Sequence, residues 1–99
     1  MVRPVRPLPR DLTQQWPVTS SDDVRGEAAR LFAGNLKTAL GGRTVRAAKE
    51  LTGVNHSTVA AILAGTTWPD MATIARLESG LRTRLWPDIS PDGAYLHTP

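Results

Sequence analysis

Apolar residues recur at spacings of three and four over four stretches of this chain, the period of helices that bury one face. The first stretch runs through Ala28, Leu31, Phe32, Leu36, Ala39 and Leu40. Ser21-Asp22-Asp23 before it supplies a capping side chain and acids at the positive end of a helix dipole, and Gly41-Gly42 stops it. The second stretch, residues 44–51, turns Val45, Ala48 and Leu51 inward and leaves Arg43, Arg46 and Lys49 outside. Thr52-Gly53-Val54 breaks it. Asn55 is a good N-cap for a third helix over 55–64, with Val59, Ile62 and Leu63 inward and Gly65 as its stop. After Thr66-Thr67-Trp68, Pro69 suits the first position of a fourth helix. Its inward stripe is Met71, Ile74, Leu77 and Leu81, with Gly80 weakening its end. Leu85-Trp86-Pro87 is expected to close the bundle with a short turn. No strand pattern and no internal repeat is visible. The expectation is an all-α fold, a compact bundle of four to five helices.

The two ends lack this periodicity. Residues 1–21 hold Pro4, Pro7, Pro9 and Pro17 together with Arg3, Arg6 and Arg10, and read as an extended arm, mobile in solution. Residues 22–86 form the helical domain, and residues 87–99 a loose tail. Ninety-nine residues make one domain, with modest stability unless two copies pair. Aromatics are only 5% of the chain, so the core rests on Leu, Ile, Val and Ala.

Charge adds to the picture through its placement. The net charge is +3. Residues 1–20 carry +2 and residues 43–65 another +2, through Arg43, Arg46 and Lys49 against Glu50; residues from 87 onward carry −2. Positive charge thus sits on the arm and on one central segment, weak support for a polyanionic partner. The absence of cysteine excludes disulfides, thiolate chemistry and Cys-based zinc sites. The arginine-rich start is followed by no apolar stretch, so neither a secretory signal nor a membrane span is expected. A reducing cytoplasm fits, whether bacterial nucleoid or host cytoplasm. The two histidines, His56 and His97, have no acid at a useful spacing, and no glycine-rich phosphate loop or metal-ligand cluster appears. No catalysis, cofactor, metal or small-molecule ligand is expected.

The central segment carries the informative motif. Two short helices flank a glycine-containing turn: Gly53-Val54, then Val59 six residues after the glycine, Ile62 three later, and Gly65. Glycine permits the sharp turn, and Val54, Val59 and Ile62 anchor the third helix on the first two. This arrangement, with a helix before it and Pro69-Asp70-Met71-Ala72-Thr73-Ile74-Ala75-Arg76-Leu77 after it, resembles the Cro/repressor-type helix-turn-helix family, the lambda-repressor-like domains. The resemblance covers about residues 25–86. One departure stands out. The family usually has a small residue four positions before the turn glycine, where this chain has Lys49; Ala48 lies five before it, so the turn is expected to be longer by Thr52.

The resemblance implies binding of double-stranded DNA, with helix 55–64 in the major groove. His56, Ser57 and Ala61 would then meet base edges. Thr44, Asn55 and Thr58, the loop residues Thr66 and Thr67, and the cations Arg43, Arg46 and Lys49 would meet phosphates. Arg3, Arg6 and Arg10 would follow the groove or backbone as arm contacts. The function implied is a sequence-specific transcriptional regulator, a small phage or bacterial repressor. It would act as a homodimer on a near-palindromic site, with Leu81, Leu85 and Trp86 as candidate pairing residues or as part of the monomer core.

Plainer readings stand beside these. His56 can be a solvated residue, Ser57 and Thr58 mere helix-start residues, and Arg43, Arg46 and Lys49 an ordinary solvated face. Trp68 and Trp86 read as core or lid residues, whereas Trp16 can pack on the bundle or meet a partner. Two other function classes remain open. One is a protein-binding module of antitoxin or adaptor type, motivated by the arm with Trp16 and the tail with Tyr95 and Leu96. The other is a DNA-bending accessory factor for recombination.

Overall fold

A computed structural model describes residues 6–96. The described residues form an all-helical fold of four α-helices: α1 (Val24–Leu40), α2 (Val45–Thr52), α3 (His56–Ala64) and α4 (Met71–Leu81). A single turn of 3-10 helix, Pro9–Leu12, precedes them. Each α-helix starts on a side chain that accepts from an orphan N–H of its first turn. Asp23 accepts from Arg25, Thr44 from Ala47, Asn55 from Ser57 and Asp70 from Thr73. The fourth helix therefore begins at Met71 with Asp70 as its cap, two residues later than Pro69 suggests.

The core joins Phe32, Leu36 and Leu40 of α1 to Ala48, Val54, Val59, Ile62, Leu77 and Leu85. α2 packs on α3 and on α4, and α1 packs on α3. Val59 and Ile62 therefore seat α3 between the first two helices, as the motif requires.

Three inward positions differ from the periodic reading. Leu51 is 48% exposed, and Thr52 is buried in its place. Thr52 can be buried because its hydroxyl donates to the Ala48 carbonyl at 2.8 Å and accepts from the Val54 N–H at 3.1 Å. Its extra residue lengthens α2 rather than the turn. Met71 is 87% exposed, because α4 begins there, beyond the edge of the core. Gly80, next to the last residue of α4, is also a point of close approach: a Cβ there would lie 2.5 Å from the Leu51 carbonyl oxygen.

The arm is present, but from Pro7 onward it is docked. Trp16 Nε1 donates to the Leu63 carbonyl at 3.0 Å, and Arg10 N–H donates to the Gly65 carbonyl at 3.0 Å. Trp68 Nε1 reaches back to the Pro7 carbonyl at 2.8 Å. Pro9 is fully buried. A buried ion pair reinforces the arrangement. Arg30 donates to both Glu27 oxygens at 2.7 Å and also reaches the Pro17 carbonyl and Ser20 Oγ, while Glu27 accepts from the Ser21 N–H. A proline-rich stretch without periodicity is thus held by indole and backbone donors that meet carbonyls far away in sequence.

The tail is ordered in the same way. Ile89 and Tyr95 form an isolated antiparallel bridge around a turn at residues 90–93, and the Tyr95 ring meets Trp86 edge-on at 6.3 Å. Leu85 is fixed in the core by hydrogen bonds from its N–H to Glu78 and from Asn35 to its carbonyl. It finishes the monomer core and is not available to pair two copies. No helix of the described residues is long and apolar enough to cross a membrane.

Candidate nucleic-acid interface

Gly53 ends α2 with φ of 75°, a left-handed turn that a side chain would strain. Val54 then plunges into the core, and Asn55 opens α3. The first turn of α3 faces out: Asn55 and Ser57 are exposed, and His56 and Thr58 half-buried. Asn55 Oδ1 accepts from the Ser57 N–H at 3.0 Å and from the Ser57 hydroxyl at 2.9 Å. The cap thus fixes the Ser57 side chain at the leading end of the helix, its oxygen still able to accept. The α3 dipole places partial positive charge there, while Asn55 itself takes up the Ser57 and Thr58 N–H groups through its side-chain and backbone oxygens.

The outward face continues along α3. With Val59 and Ile62 inward, the helical period puts Ser57, Ala60, Ala61 and Ala64 on the opposite side. Ser57, Ala60 and Ala64 are exposed and Ala61 half-buried. Ala60 and Ala64 are additions to the expected contact set, legible from the same periodicity that fixed Val59 and Ile62. A stripe of serine and alanines lets a helix backbone approach a groove floor closely.

Cations lie just before and along the preceding helix. Arg43, Arg46 and Lys49 are exposed, and Glu50 is the only acid between residues 43 and 69. Arg43 makes one long contact, 3.4 Å, to the Ala39 carbonyl; no described carboxylate pairs with Arg46 or Lys49. Thr44 caps α2 through its hydroxyl oxygen at 3.1 Å and keeps its own proton to donate.

The other end of α3 is closed. Gly65 has φ of 72°, and a Cβ there would lie 2.6 Å from the Trp16 ring. Trp16 satisfies the Leu63 carbonyl, one of the orphan acceptors of the last turn, and the exposed Arg10 leaves the chain beside the Gly65 carbonyl. A cation near a helix C-terminus is favourable in itself. Thr66 is half-buried, its hydroxyl donating to the Ala61 carbonyl at 3.3 Å, so it serves the α3 cap; Thr67 is half-buried beside it.

Of the expected arm residues, Arg10 stands at the α3 end of the site. Arg6 lies elsewhere, its guanidinium carbon 4.8 Å above the Trp68 ring centre. Arg3 falls outside the described residues. The structure thus places Asn55, His56, Ser57, Thr58 and Ala61 at the cap and along α3, Arg43, Thr44, Arg46 and Lys49 just before and along the α2 helix that packs on it, and Arg10, Thr66 and Thr67 at the C-terminal end of α3. Comparison with protein-family profiles, with curated proteins and with solved structures finds no match for this chain.

Proposed function

We propose that this protein binds double-stranded DNA in a sequence-specific manner and regulates transcription, reading the major groove with α3. The observation that supports this most directly is the asymmetry of α3. Its leading end, with a cap-fixed serine, is open to solvent and follows directly on α2, the helix that carries Arg46 and Lys49 with Arg43 just before it. Its trailing end is occupied by the protein's own arm. Ser57 and His56 meet base edges, and the Ala61 methyl meets a thymine methyl. Ala60 and Ala64 permit close approach. Thr44 and Asn55 position the backbone, and the three cations of 43–49 with Arg10 supply attraction that does not depend on sequence.

One short reading helix covers few base pairs, so two copies act on a near-palindromic site. Leu85 is spent in the core, and pairing uses the exposed start of α4 around Met71 and Ala75. Of the residues that motivate the adaptor reading, Trp16 and Tyr95 are engaged within the chain, whereas Leu96 is exposed.

Selection from a pool of random duplexes tests the proposal. An enriched motif is expected. Against it, Ser57→Ala relaxes preference at one base position, while Arg46→Ala weakens all sequences and lowers the log–log salt slope by about one. A pool without enrichment refutes sequence-specific reading.

A further inference from the structure

A second site lies away from α3. Trp68, Trp86 and Tyr95 line a half-open cleft of about 260 Å³ whose inner wall is α1 and to which α3 contributes no residue. Ala28 and Ala29 keep that wall low, and Phe32, 1% exposed, forms its base with its ring centre 6.5 Å from that of Trp86. The Trp86 and Tyr95 rings stand nearly perpendicular, at 79°. The Trp68 ring is held by its hydrogen bond to the Pro7 carbonyl. An aromatic wall on rigid supports, with 42% of Trp86 left uncovered, is an arrangement suited to a flat apolar guest.

The rim gives that guest a charge. Arg6 and Arg25 both border the cleft. Arg25 is already paired with Asp23 at 2.8 Å. Arg6 stacks on Trp68, and among the described residues no carboxylate pairs with it. A cationic guest would be repelled at this rim, and a neutral one would leave Arg6 without an anionic partner. We propose that the cleft binds a small planar aromatic carboxylate, its ring among Trp68, Trp86 and Tyr95 and its carboxylate on Arg6. The five contributing segments are the arm, α1, the loop before α4, the turn after α4 and the tail, so no local sequence pattern announces the site.

This inference concerns a different face from the proposed DNA interface and stands or falls without it. The test titrates the ¹⁵N-labelled full chain with indole-3-acetate and, separately, with the uncharged indole-3-acetamide. The three indole N–H signals are read. Saturable shifts of the Trp68 and Trp86 signals with the acetate, and a dissociation constant below about 1 mM, are expected. The Trp16 signal, from a ring seated at the end of α3, stays in place. The acetamide binds at least about fivefold more weakly, because it forms no charge-assisted hydrogen bond. Arg6→Gln, at an exposed position, brings the acetate down to the acetamide level while the chain still unfolds cooperatively. Three results would overturn the proposal: no saturable shift up to about 10 mM, equal affinity for both probes, or an acetate preference that survives Arg6→Gln.

Discussion

Replacing Gly80 by alanine sets helix propensity against packing, and the geometry decides which wins. Alanine is favoured over glycine by about 1 kcal/mol in a helix interior, an upper bound at Gly80, the penultimate residue of α4. The new Cβ, however, would stand 2.5 Å from the Leu51 carbonyl oxygen, 2.6 Å from Thr52 Cα and 2.9 Å from Thr52 Cγ2. The first two are backbone atoms, which cannot rotate away. Carbon contacts settle at roughly 3.5–4 Å, so α4 must withdraw from α2 by about 1 Å. Leu77, one turn earlier on the same face and fully buried, is drawn away with it. Overpacking of this kind costs about 1–3 kcal/mol, which outweighs the propensity gain at all but its lowest values. Gly34 is the internal control: it is exposed in α1 with nothing within 4 Å of a built Cβ. Gly34→Ala should therefore raise stability by about 1 kcal/mol, or roughly 4–8 °C in Tm, whereas Gly80→Ala should lower Tm by roughly 5 °C or more. Thermal unfolding followed by circular dichroism measures both. A Gly80→Ala protein that melts at or above the parent would refute the close α2–α4 crossing.

Further outcomes follow from the same contacts. Glu27→Ala takes from Arg30 its carboxylate partner in a site where the two side chains are only 10% and 13% exposed, and should cost about 3 kcal/mol in urea unfolding; Glu27→Leu with Arg30→Met should recover most of it. Asp23 is held at about 2, down from 3.8, first by the hydrogen bond from the Arg25 side chain and then by the Arg25 N–H. Because its folded value is depressed, its contribution is complete above the unfolded value and is lost as pH falls through the folded one. Stability should therefore decline between about pH 4 and 2, and Asp23→Asn should flatten that limb of the urea-midpoint profile. Gly65→Ala both strains a left-handed residue and collides with the Trp16 ring, so it should undock the arm, seen as a shift of Trp16 fluorescence toward that of exposed indole.

The helices were legible because each carries its own local signals: a capping side chain, a stripe of period 3.6 and a stop. The outward face of α3 followed from the same arithmetic, as Ser57 lies opposite Val59 and Ile62. What escaped depended on partners distant in sequence. Leu51 and Thr52 compete for one inward slot, and polarity favours leucine until the Ala48 carbonyl and Val54 N–H are seen to satisfy the hydroxyl. The arm looked mobile because the acceptors of its ordering bonds, or their donors, lie 47 and 61 residues away. Met71 fits the period of its helix but sits beyond the end of the core that the period addresses.

The central claim is that the open leading end of α3 is what meets DNA. Amide NMR of the labelled protein, on addition of a duplex carrying its selected motif, tests this position by position. The account predicts that the largest shifts fall at residues 55–61 and 43–49, with smaller ones at Arg10, Thr66 and Thr67, and none at Trp86 or Tyr95. Shifts gathered on α1 and the tail, with residues 55–58 unmoved, would contradict it.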